Sequence, residues 1–95
     1  MKKAKLQTLK VQYEGLKMKE EENIFEYIER VDEVVNVIRG LGETIEDTYV
    51  VDKVLRTLPM AYNPKVSTLE DRQDTEKITL DELYGILTAY ELRIG

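Results

Sequence analysis

Apolar residues recur at steps of three and four along almost the whole of this 95-residue chain. That spacing is the period of a helix face; a strand would alternate every second residue. Leu6, Leu9, Tyr13 and Leu16 form one stripe and predict a first helix over about 3–18. Ile24, Ile28, Val31, Val35 and Ile38 form another over 23–39, with Tyr27, Val34 and Leu41 on an adjacent stripe. Two stripes imply a helix packed on more than one side, so this one is expected at the centre.

Punctuation separates the remaining elements. Gly40 and Gly42 are expected to end the second helix. Thr44-Ile45-Glu46-Asp47 reads as the start of a third, over 45–58, with Val50, Val51, Val54, Leu55 and Leu58 facing inward and Pro59 as its stop. Asn63-Pro64 reads as a cap followed by proline at the first helical position of a short fourth helix, 64–70. Residues 71–77 contain no apolar side chain and read as a loop. Thr79-Leu80-Asp81-Glu82 is a capping-box sequence opening a fifth helix over 79–94, whose buried side is Leu83, Leu87, Tyr90 and Ile94. The expected fold is all-α, a bundle of about five short helices forming one domain over 1–95. The last helix reaches Gly95 hardly capped, which reads as a domain cut from a longer polypeptide.

Composition excludes several classes of chemistry. With no cysteine and no histidine, zinc fingers and zinc knuckles are ruled out, and no disulfide framework is available. Ser67 is the single serine, so no nucleophile and base pair can be assembled, and an enzyme is not expected. No cofactor is called for. The Glu20-Glu21-Glu22 run lacks the glycine and alternating ligands of a calcium loop and reads as negative charge near a helix start. Gly40-Leu41-Gly42 follows a helix rather than a strand, so it is a terminator and not a phosphate loop. No apolar run could span a membrane and no leader sequence is apparent, so a cytoplasmic location is the expectation.

Charge is unevenly distributed. Residues 1–19 carry six lysines against Glu14, a balance of +5. Residues 20–48 carry ten acids against Arg30 and Arg39, a balance of −8. The net charge of −5 argues against nucleic-acid binding through this domain, and the segregation favours opposed surfaces finding each other. Six of the seven aromatics are tyrosines, suited to core margins and to interfaces alike. Tyr13 and Leu16 on the first helix, and Tyr49 and Val50 on the third, are the candidate self-association residues.

Arg30 is the sharpest single residue, a cation at the border of a buried stripe. It could pair with Glu22 if the acidic turn folds back, or sit exposed beside Glu26 one turn earlier.

Five short pieces then occur in order: Leu6-Gln7-Thr8-Leu9, Leu16-Lys17-Met18-Lys19, Arg39-Gly40-Leu41-Gly42, Leu55-Arg56-Thr57-Leu58-Pro59 and Leu80-Asp81-Glu82-Leu83. Together they resemble the gag polypeptide of copia-type LTR retrotransposons. The resemblance runs from about Lys5 to Arg93 and implies a domain like the C-terminal lobe of a retroviral capsid protein. Glu22, Ile24, Tyr27, Arg30 and Val31 fall on the positions of that lobe's homology segment. The resemblance implies that Glu22 and Arg30 join a buried hydrogen-bond network. Met18-Lys19 stand where retroviral segments usually have Gln-Gly, so that part of the pattern is absent. The implied function is self-association, with a two-fold dimer contributing contacts to an intracellular particle. The alternative is a domesticated copy that binds a peptide in a groove between helices. Neither reading involves a small-molecule substrate.

Overall fold

The computed structural model describes residues 2–71 and 78–94. Its elements are α1 (Lys2–Glu14), α2 (Ile24–Gly40), α3 (Asp47–Arg56), a 3₁₀ turn at Met60–Tyr62, α4 (Asn63–Asp71) and α5 (Leu80–Ile94). Among the described residues there is no strand, and no helix is long and apolar enough to cross a membrane. The fold is all-α, as the periodicity predicts.

Helix α2 organises the rest. Ile24, Tyr27, Ile28, Val31, Val35 and Ile38 are all buried, and α1, α3 and α5 pack against it. Val50, Val51, Val54 and Leu55 of α3 and Leu83 and Leu87 of α5 complete the core. Burying side chains of this size stabilises by about 1.5–3 kcal/mol each before conformational entropy is set against it. The body is flattened, 45 × 29 × 17 Å between Cα extremes, hence about two helices thick. A thin body leaves broad faces.

Several boundaries differ from expectation, each for a local reason. Helix α1 stops at Glu14, four residues early. Gly15 makes the last helical bond, to Val11, and the chain then leaves the helix. Leu16 and Met18 both turn inward at 6% exposure, a spacing of two that a helical stripe does not produce. Helix α2 runs through Gly40, and only Gly42 takes a positive φ, of 95°. Helix α3 begins at Asp47, and Glu46 at its cap makes no side-chain cap bond. Asn63 is helical rather than a cap, because the 3₁₀ turn runs directly into α4. Thr79 accepts from the Glu82 amide at 3.1 Å. Ile94, expected on the buried side of α5, is 42% exposed. Of the expected loop 71–77, residues 72–77 lie outside the described residues.

Candidate functional site

The irregular segment between α1 and α2 is where polar contacts concentrate. Asn23 caps α2, accepting from the Glu26 amide at 2.8 Å, while the Glu26 carboxylate accepts from the Asn23 amide at 3.1 Å. This reciprocal box occupies Glu26 and sets the direction in which the acidic turn approaches α2. Arg30 does not pair with Glu26. Its Nε donates to Glu22 Oε2 and its Nη2 to Glu22 Oε1, both at 2.8 Å, a bidentate fork. Nη2 also donates to the Lys17 carbonyl at 2.7 Å. Glu22 in turn accepts from the Lys19 amide at 2.8 Å. One ion pair thus ties both ends of the turn to α2.

The surroundings strengthen this pair. The Glu22 side chain is 12% exposed and that of Arg30 32%. The Arg30 hydrogen bonds hold the Glu22 carboxyl below its ordinary range, and the Lys19 amide adds to this against the opposing cost of burial. The same Glu22 bonds raise Arg30 above its ordinary value. The guanidinium lies 5.3 Å from the centre of the Tyr27 ring, within cation–π range.

Tyr27 carries the network inward. It is fully buried, and its hydroxyl meets the Thr57 hydroxyl just beyond α3. Thr57 Oγ1 donates to the Lys53 carbonyl at 2.7 Å, so the phenol is the donor in the Tyr27 pair. The Thr57 carbonyl accepts from the Met18 amide at 3.2 Å. Burial pushes the Tyr27 phenol up, against the lowering effect of Thr57. Ile24 and Val31 are wholly buried on the same helix and contribute packing. The Ile24 amide is met from the far end of the chain: Glu91 Oε2 accepts from it at 2.8 Å and from the Tyr62 hydroxyl at 3.2 Å. Burial and Glu91 push Tyr62 up to about 12.

Sequence reasoning missed Thr57 and Glu91. Neither carries a local signal, since their partners lie 30 and 67 residues away.

The expected self-association residues fare differently. Tyr13, Leu16 and Val50 are buried within this chain's own core, at 7%, 6% and 2% exposure, and cannot supply a surface. Helix stripes do not say which packed side faces a neighbour in the same chain. Tyr49 alone is exposed, at 60%, and its ring stacks on that of Tyr13 with centroids 6.2 Å apart and planes at 15°. Lys53 Nζ sits 5.5 Å from the Tyr13 centroid. Beside this stack lies an open groove of about 400 Å³ between α1 and the segment leading into α3, lined by Lys10, Ile38, Ile45 and Tyr49 among others. The Lys10–Glu43 ion pair, at 3.1 Å, stands at its rim. Burial, then the neighbouring Tyr49, pushes the Tyr13 phenol up to about 12, and among the described residues its hydroxyl has no partner.

Among the described residues no group of three or more acids could hold a metal ion. The arrangement found is a network that orders backbone.

No curated protein and no solved structure matches this chain. Residues 1–93 match the family model for the gag polypeptide of LTR copia-type. Together with the all-helical fold, that match makes this chain a member of the copia-type gag-polypeptide family.

Proposed function

We propose that this chain is a self-association module of a retrotransposon gag protein, resembling a capsid C-terminal lobe and contributing dimer contacts to intracellular particles. The family match over residues 1–93 carries the reading, because gag polypeptides are structural components. The flattened body supports it, with Val11, Phe25, Tyr49, Met60 and Leu92 each more than half exposed on an otherwise charged surface. In this reading the Glu22–Arg30 network keeps the 15–23 turn in one conformation, so the surface is the same on every copy. Many weak contacts then add in a particle, where each further contact is made at high effective concentration. RNA packaging and catalysis are not assigned to this domain.

The groove beside the Tyr13–Tyr49 stack favours a second reading, a domesticated gag-derived module that binds a peptide there. Its volume of about 400 Å³ falls in the range of ligand clefts. Mass by light scattering from micromolar to millimolar protein separates the two. Reversible growth beyond the monomer is expected for the assembly module. A strict monomer throughout would overturn it and leave the groove as the stronger candidate.

A further inference from the structure

The surface charge has a geometry that self-association can use. On α1, Ala4, Thr8 and Val11 form an outward strip, with Val11 63% exposed. Lys3 and Lys5 stand on either side of that strip by helical position, both exposed, and among the described residues neither has an ion-pair partner. The helix therefore presents a small apolar ridge between two unneutralised cations. Its inward side, by contrast, already packs on α2.

The complementary shape lies between α2 and the start of α5. A groove of about 260 Å³ has Phe25, Ile28 and Tyr84 as its apolar floor and Glu29, Asp32 and Asp81 at its rim. Phe25 is 52% exposed, with its ring edge-on to Tyr84 at 6.2 Å. Among the described residues the three rim acids pair with no cation. The nearby cations are already engaged, Arg30 by Glu22 and Arg39 by the Ile45 carbonyl and Asp47.

We infer that the occupant of this groove is helix α1 of a second copy. Val11 enters over Phe25 and Tyr84, while Lys3 and Lys5 meet the rim acids. Charge complementarity selects this occupant: the basic segment, at +5, and the acidic segment that supplies most of the rim, at −8, belong to the same chain. The contact joins unlike surfaces, so in a two-fold dimer it is made twice. The inference rests on the self-association reading and names the surfaces that perform it.

The test compares the wild-type chain with two double variants, Lys3→Glu/Lys5→Glu and Glu29→Lys/Asp32→Lys, by sedimentation equilibrium. Circular dichroism melts of each variant verify folding. The substituted positions are all exposed, so no core is disturbed. Each variant alone is expected to self-associate at least about tenfold more weakly, and an equimolar mixture of the two to recover association. Raising salt from about 50 to about 500 mM weakens the wild-type contact, because exposed charges are screened. Wild-type-like association by both variants overturns the contact while leaving self-association standing. A wild-type chain that stays monomeric at about millimolar concentration overturns contact and self-association together. A mixture of two folded, weakened variants that does not recover also overturns it, since both surfaces would then matter without meeting.

Discussion

Two arginines of α2 hold the turns at its two ends, and they do so under different conditions. Arg30 grips the preceding turn with a bidentate carboxylate and a backbone carbonyl, next to a fully buried tyrosine. Arg39 reaches the following turn through the Ile45 carbonyl and Asp47, whose side chain is 68% exposed. The first turn also drives Leu16 and Met18 into the core, whereas the second places its reversal on Gly42. Residue type is therefore a poor guide to contribution. An ion pair whose carboxylate is largely withdrawn from water and further hydrogen-bonded orders a segment; one whose carboxylate stands in solvent is screened and contributes little.

Removing the cation that holds the sheltered carboxylate should have the largest effect. Arg30→Ala leaves Glu22 without its partner and frees the Lys17 carbonyl, and is expected to cost about 2–3 kcal/mol. Thermal melts would show this as a Tm drop of roughly 10 °C or more for a domain of this size. An unchanged Tm would show that Leu16 and Met18 alone place the turn.

Acid should weaken the same site. The Glu22 carboxyl titrates lower in the folded chain than in the unfolded one, so its contribution is present above the ordinary carboxylate range. It is lost as pH falls through the folded value. Melts of the wild type and Arg30→Ala across the acid range should therefore converge as pH drops. Parallel curves would remove Glu22 from the explanation.

Tyr27→Phe takes away the phenol that donates to Thr57 and keeps the ring under Arg30. A loss of about 1 kcal/mol is expected in urea denaturation, because Thr57 retains its bond to the Lys53 carbonyl. No change at all would mean the hydroxyl pair is dispensable.

Arg39→Ala should be the mildest, at about 0.5 kcal/mol or less in the same experiment. A cost matching that of Arg30→Ala would undo the contrast between the two turns.

How much of this was legible beforehand depended on how far apart the partners lie. The α2 cap is wholly local, Asn23 and Glu26 being three residues apart. Glu22 and Arg30 are eight residues apart, near enough for the pairing to be conceived from the chain and too far for helix spacing to require it. Thr57 and Glu91 were invisible. At Tyr13, Leu16 and Val50, apolar character marks a side that packs without saying against what.

The all-helical fold, the central place of α2 and the absence of cysteine and histidine follow from periodicity and composition, properties each segment carries alone. Tertiary packing chose between Glu22 and Glu26 for Arg30 and ended α1 at Glu14 so that Leu16 and Met18 could fill the core. It also brought Glu91 to the start of α2 and left Tyr49 outside while burying Tyr13. The physical reason is that burial and long-range hydrogen bonds depend on which faces meet, and no local spacing encodes that.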